Sequence, residues 1–239
     1  MLTFASSKVE NNKTQIIFMR IILKTSPNSQ PVPFDYQAKL VGCIHKWIGA
    51  DNEYHDKISL YSFSWLQDGK ATEGTLTFPY GARFFISFYN DHVVKDIIRT
   101  ILDDSTMFCG MEVTDITLAE APDFAKRDLY YCGGPVLIKR KMEDGSSRQF
   151  NFNDAEASQY MKETLVNKIH VAGLEEDDTL DIRFDTSYRK KKLKLVHYHG
   201  IGNKASLCPV VIHGKPETKH FAWEVGIGNC TGIGFGAIY

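Results

Sequence analysis

The chain has 239 residues, with 28 Lys and Arg against 29 Asp and Glu, a formal net charge of -1 at pH 7. Its 43% hydrophobic and 24% charged residues are the composition of a globular chain, one large domain or two small ones, and exclude disordered and fibrous classes. So balanced a charge supplies no bulk field for a polyanion, and a nucleic-acid binder built from it has to segregate its positive residues.

The first strand is predicted over Gln15 to Leu23, followed by a loop through Ser26, Pro27, Asn28 and Pro33. A helix follows from Asp35 to Gly49, where Leu40, Val41, Ile44, Trp47 and Ile48 recur every three or four residues, with Asp35 placed to cap it. Tyr61 to Leu66 alternates like a half-buried strand, Asp68-Gly69 supplies a turn into Glu73 to Phe78, and Arg83 to Tyr89 is a further strand. Val93, Val94, Ile97, Ile98, Ile101 and Leu102 mark a second helix, and Met111 to Glu120 a closing strand. This order is β-α-β-β-α-β, the ferredoxin-like unit.

A similar order starts again after Ala121-Pro122-Asp123, with a strand over Tyr130 to Lys141, a turn at Asp144-Gly145 and a helix from Asp154 to His170. Strands then fall at Thr179 to Phe184, Leu193 to His199 and Leu207 to His213, a short helix at Glu217 to Val225, and a last strand. The expected fold is α+β: tandem ferredoxin-like (RRM-like) domains over 19–124 and 125–239, behind an extension at 1–18.

No apolar run approaches the ~18 residues that a membrane-spanning helix requires. Lys8 and Glu10 come too early for a secretory signal, so cytoplasmic residence and no membrane partner are the expectation. Five cysteines, none in a C-x-x-C pair, are expected to be buried thiols rather than a disulfide frame or a zinc ribbon.

The most informative stretch is Gly226-Ile227-Gly228-Asn229-Cys230-Thr231-Gly232-Ile233-Gly234-Phe235-Gly236. Glycines there allow positive φ and bare backbone N–H groups, so the loop either cradles phosphate or forms a tight hairpin before an edge strand. A dinucleotide fingerprint would have to open a helix inside a βαβ unit, which the pattern does not supply.

This loop, the aromatic-rich short helix before it, the Phe34-Asp35-Tyr36-Gln37 helix start and the Tyr61-Ser62-Phe63-Ser64 strand resemble the CRISPR repeat-processing endoribonucleases of the RAMP superfamily. The likeness in element order runs from Met19 to Tyr239. It departs where the family loop often carries Lys or Ser and this chain has Asn229, Cys230 and Thr231, so a backbone role carries over better than a side-chain one. Residues 1–18 look unlike the family, which makes Met19 a candidate initiator.

The resemblance implies a metal-independent endoribonuclease without cofactor that cleaves CRISPR precursor RNA within the repeat to yield guide crRNAs. The 2′-OH attacks the adjacent phosphate, leaving a 2′,3′-cyclic phosphate and a 5′-OH, and such chemistry needs a base and an acid. Family catalytic residues sit on and just after the first helix, which points to His45 and His55 as the acid and base, with Lys57 or Tyr36 for phosphate charge or orientation. Ala38, Gly42, His45 and Gly49 share one helix side, where small residues let another backbone approach. The alternatives are a repeat-RNA-binding protein of the same fold that does not cut, and a structural subunit of a CRISPR ribonucleoprotein. Repeat RNA is the expected partner; a CRISPR effector complex and a second copy, as a homodimer, are further candidates.

For RNA contact, Arg189, Lys190, Lys191 and Lys192 form one basic run and Lys139, Arg140 and Lys141 another, with Tyr130 and Tyr131 available for stacking; charged strand edges against aggregation are the competing reading. Gly226, Gly228, Asn229, Thr231, Gly232, Gly234 and Gly236 complete the expected RNA-binding set. His197 and His199 could join His213 or His220 on zinc, though sharing parity with Leu193 and Leu195 favours partly buried structural histidines. Neither a G-x-S-x-G nor a P-loop is present.

Overall fold

The computed structural model describes residues 19–49, 58–90 and 92–239. The first unit runs β1 (Met19–Thr25), β2 (Val32–Pro33), α1 (Gln37–Ile48), β3 (Tyr61–Phe63), β4 (Lys70–Thr72), β5 (Thr75–Thr77), β6 (Arg83–Phe88), α2 (His92–Asp103) and β7 (Val113–Glu120). Its main sheet has the order β3-β6-β1-β7, all antiparallel, with Ile21 of β1 opposite Ile86 and Leu118. Both helices pack on that sheet around Ile21, Leu40, Ile44, Trp47, Phe63, Phe84 and Ile97. Trp47 Nε1 ties them by donating to the carbonyl of Asp104 at 3.0 Å.

The second unit runs β8 (Leu129–Tyr130), β9 (Ile138–Lys141), β10 (Ser147–Phe150), α3 (Ala157–Val171), β11 (Asp181–Phe184), β12 (Lys192–Tyr198), β13 (Ile201–Leu207), β14 (Val210–His213) and α4 (Pro216–Val225). Here β11-β14-β8 form the sheet, and the C-terminal residues add its fourth member. Tyr131 and Tyr239 exchange N–H to carbonyl bonds at 2.8 Å, and Cys132 bridges to Ile238. Counting β8, β11, β14 and the C-terminal residues in chain order, both sheets have the spatial order second, third, first, fourth. The tandem ferredoxin-like fold read from element order is therefore present, with hairpins β9-β10 and β12-β13 inserted into the second unit.

Several boundaries move for physical reasons. The β4-β5 hairpin turns at Glu73-Gly74, φ 46° and 80°, not at Asp68-Gly69, because both central residues must take positive φ. Helix α1 begins at Gln37, and its N-cap is Tyr36 without a side-chain cap bond, so Asp35 caps nothing. Asp154 precedes α3, where its carboxylate accepts from Asn151 N and Nδ2. The strand expected over Tyr130 to Lys141 is broken at Gly133-Gly134-Pro135, where Phe85 and the Gly234 carbonyl approach the glycines too closely for any Cβ. Strand β13, polar enough to read as loop, forms because it pairs along its length with β12 across a His199-Gly200 turn.

Residues Tyr61, Ser62 and Phe63 are buried on both faces rather than alternating. Helix α4 of the second unit covers the far side of β3, and Ser62 Oγ donates to the Glu224 carbonyl at 2.8 Å. The units are also stitched by Arg20, 4% exposed, which donates to Ser87 Oγ and to the carbonyls of Trp223 and Ile238 while lying between the Phe85 and Trp223 rings. Of the thiols, Cys208 is buried, Cys43, Cys109 and Cys132 are half-buried and Cys230 is exposed, so the expectation of buried cysteines holds in full only at Cys208. No helix among the described residues is long and apolar enough to cross a membrane.

Candidate functional site

Helix α1 buries Gln37, Leu40, Val41, Ile44 and Trp47 in its stripe, which leaves His45 half-buried at the stripe's edge. Ala38 and Gly42 are exposed, and among the described residues nothing lies within 4 Å of a Cβ at Gly42, so none of them makes a close backbone contact with the helix there. The His45 Nε2 lies 3.2 Å from the hydroxyl of Tyr61, and that hydroxyl donates to the Gly232 carbonyl at 3.1 Å. A phenol has one proton. Where that proton goes to Gly232, the phenol oxygen accepts from Nε2–H, so the contact orients the imidazole ring.

The glycine-rich segment is thus part of the histidine's surroundings. Three successive carbonyls of this segment, at Gly232, Ile233 and Gly234, accept from Tyr61 Oη, Gln37 Nε2 and Trp65 Nε1 of the first unit. From the second unit, Lys168 of α3 donates to the carbonyls of Val225 and Gly226 and to Thr231 Oγ1. Asn229 bridges to β9: its N–H donates to the Leu137 carbonyl and its side-chain oxygen accepts from Lys139 N–H, both at 2.8 Å.

This geometry corrects the phosphate-cradle reading. The N–H groups of residues 226, 227, 229, 233, 234, 235 and 236 donate to protein carbonyls, so most of the expected nest faces inward. Gly226, Gly228, Gly232, Gly234 and Gly236 are buried, as is Thr231. Glycine is demanded by packing: a Cβ at Gly236 would meet the Ile227 carbonyl oxygen at 1.8 Å and one at Gly234 would meet Gln37 Nε2 at 2.1 Å. The outward arc of the loop is Asn229 and Cys230, at the edge of a cleft of about 460 Å³ lined also by Ser59, Arg140, Glu163, Asn167 and Lys168.

The remaining expected residues divide. Tyr36 belongs to the core: it is 4% exposed, stacks on Phe108 and accepts from Leu66 N–H, and burial pushes its phenol well above its ordinary value, so its assignment to phosphate is withdrawn. His55 and Lys57 lie outside the described residues. Arg140 donates to the Tyr160 carbonyl, Glu163 and Thr164 Oγ1, which commits its guanidinium to α3; Lys141 is exposed and Lys139 half-exposed beside the loop. Tyr130 is buried. The run Arg189 to Lys192 leads into β12, and Lys190 and Lys192 line a different cleft, about 260 Å³, with Tyr131, Tyr188 and Tyr239. The two basic clusters therefore serve separate surfaces. His197 and His199 are exposed, and His199 sits in the hairpin turn at φ 47° rather than on the strand face of His197, so they are not partly buried structural histidines. His213 pairs with Asp128 and His220 packs on Phe124. No group of three His, Cys, Asp or Glu among the described residues is arranged to hold a metal ion.

Sequence reasoning missed the residues that hold the loop. Gln37 interrupts the apolar stripe of α1, and Lys168 interrupts the stripe of Met161, Leu165 and Ile169 on α3. A polar or charged residue inside an apolar stripe was the available signal.

Two ferredoxin-like units closed by a glycine-rich loop against a helix-borne histidine define a tandem ferredoxin-like protein with its site at the seam. The family model described as "CRISPR associated protein Cas6, C-terminal" matches residues 119–239, and the chain belongs to this family. Among solved structures, one described as "CRISPR associated protein Cas6" is 22% identical, with 92% of this chain and 98% of that chain covered and a TM-score of 0.77. The product of a Cas6-related gene from Pyrococcus furiosus is 20% identical, with coverage of 93% and 98% and a TM-score of 0.81. A third, described as a RAMP protein binding different RNA substrates, is 20% identical, with coverage of 92% and 98% and a TM-score of 0.76. A search of curated proteins finds no match.

Proposed function

We propose that this chain is a metal-independent endoribonuclease that cleaves CRISPR precursor RNA once within each repeat, by attack of the 2′-OH on the adjacent phosphate, leaving a 2′,3′-cyclic phosphate and a 5′-OH. The observation that carries this reading is His45, whose Nε2 lies 3.2 Å from the Tyr61 hydroxyl at the seam of the two units, with that hydroxyl in turn 3.1 Å from the Gly232 carbonyl. An oriented imidazole is suited, when neutral, to take the 2′-OH proton or, once protonated, to give one to the 5′-oxygen. His55 is the proposed second member of the pair and Lys57 the proposed phosphate contact. Solved structures described as Cas6 product complexes, 12% and 14% identical to this chain, support the reading through the shared fold.

In this reading 19–124 and 125–239 are the two domains. The repeat RNA passes Lys139 and Lys141 beside the loop, and the Arg189 to Lys192 run takes a second stretch of its backbone. The test is cleavage of repeat RNA in EDTA with analysis of product ends. A cyclic phosphate from the wild type and loss of cleavage in His45→Ala are expected; wild-type single-turnover rates in both His45→Ala and His55→Ala would defeat the assignment. Tight binding of RNA that stays intact would instead identify a binding protein, a reading favoured by the similarity to the RAMP protein described as binding different RNA substrates.

A further inference from the structure

Lys168 is a buried cation whose contacts the cleavage reading does not use. It is 4% exposed, it projects from the apolar stripe of α3, and all three of its hydrogen-bond acceptors are neutral: the carbonyls of Val225 at 2.8 Å and Gly226 at 3.4 Å, and Thr231 Oγ1 at 2.9 Å. Arg140 and Glu163, which line the same cleft, pair with each other instead. Burial pushes the ammonium down to about 7, the mark of a group that leaves water without a carboxylate in exchange. An apolar side chain in the stripe would avoid that penalty, and what the ammonium supplies in its place is geometric. It joins the end of α4, where the loop begins, to the first residue of the short 3-10 turn Thr231–Ile233. The next residue, Gly232, carries the carbonyl that receives the Tyr61 hydroxyl.

We propose that Lys168 is a positioning residue for RNA cleavage: by clasping Val225, Gly226 and Thr231 it sets the Gly232 carbonyl, which orients Tyr61 and through it the His45 imidazole. This rests on the reading that His45 acts in the reaction. The side chains involved come from α3, the loop, β3 and α1, so the clasp couples the second unit to the catalytic helix of the first. Lys168 itself touches neither RNA nor reacting atoms in this scheme.

The experiment uses the full chain and a CRISPR repeat RNA in EDTA, measuring RNA affinity and single-turnover cleavage separately for Lys168→Met, Thr231→Val, Tyr61→Phe, His45→Ala and the double variant Lys168→Met/Tyr61→Phe. Misplacement of a catalytic group lowers the chemical step without uniform loss of binding, so Lys168→Met is expected to bind within about twofold of wild type and to cleave about fivefold to tenfold more slowly, no more than Tyr61→Phe. Residues acting through one chain of contacts are not additive, so the double variant should be no slower than the slower single variant. If Lys168→Met fails to fold, Thr231→Val, which removes only the shared hydroxyl, must show the same split between binding and rate. Wild-type cleavage by a folded Lys168→Met, or multiplication of the two effects in the double variant, overturns the positioning role while leaving the His45 reading standing. Wild-type cleavage by His45→Ala removes both.

Discussion

Replacing Gly236 by Ala tests whether the glycine-rich loop is a packed clasp. Gly236 has φ +64°, and an added Cβ would sit 1.8 Å from the carbonyl oxygen of Ile227 and 2.9 Å from its carbon. Left-handed backbone costs a residue with a Cβ about 1–2 kcal/mol. Relief of the clash requires more than about 1 Å of movement between two backbones that are bonded to each other. The Ile227 N–H to Gly236 carbonyl bond at 2.8 Å and the Gly236 N–H to Pro135 carbonyl bond at 2.9 Å then weaken together. At about 1 kcal/mol net for each bond, the sum is roughly 3–4 kcal/mol. In a chain of this size that corresponds to a fall in Tm of about 6–16 °C.

Gly173→Ala is the control, because Gly173 has φ +71° and, among the described residues, nothing within 4 Å of the added Cβ. It should lose the conformational cost alone, about 1–2 kcal/mol or roughly 2–8 °C. Thermal unfolding of the two variants side by side decides the matter. Equal losses, or a smaller loss at Gly236, would refute the claim that backbone contact rather than φ explains the loop's glycines.

Tyr61→Phe removes the hydroxyl between His45 and Gly232 and is expected to slow single-turnover cleavage about five- to tenfold, the equivalent of one lost orienting hydrogen bond of about 1 kcal/mol or slightly more; an unchanged rate would show that the imidazole is oriented by other means. Reversing charge at Arg189, Lys190 and Lys192 should weaken RNA binding and lower the slope of log affinity against log salt by about 0.7 for each lost single-strand phosphate contact, and an unchanged slope would remove this surface from the RNA path. Stability should also depend on Lys168 in a defined direction. Its folded value lies near 7 against an unfolded value near 10.5, so between these limits the unfolded chain binds more protons and stability rises with pH. Urea unfolding at pH 7 and pH 9.5 should show that rise in the wild type and a smaller one in Lys168→Met; equal rises would place the titration elsewhere.

Much of this architecture was legible because hydrophobic periodicity is a local property of the chain. Leu40, Val41, Ile44 and Trp47 mark α1 whatever they pack against, and the order of elements sufficed for the tandem ferredoxin-like fold. The position of His45 at the edge of that stripe followed from the same counting. Strand β13 was not legible because its pairing with β12, not its composition, makes it a strand. Nor was the double burial of Tyr61 to Phe63, because α4, some 160 residues further on, covers their second face.

The loop marks the division most clearly. Its sequence by itself determined that the backbone must visit positive φ and come within reach of other backbone, since glycine has no Cβ to prevent either. Whether those N–H groups would face a phosphate or the protein's own carbonyls depended on which elements arrive from elsewhere. Tertiary structure decided that Leu137 and Pro135 take those of Asn229 and Gly236. It also decided that Tyr61, which the sequence offered as one more strand residue, stands between His45 and the loop. Hydrogen-bond partners such as Tyr61 and Gly232, 171 residues apart, are set by packing of whole units, and no local pattern in the chain encodes them.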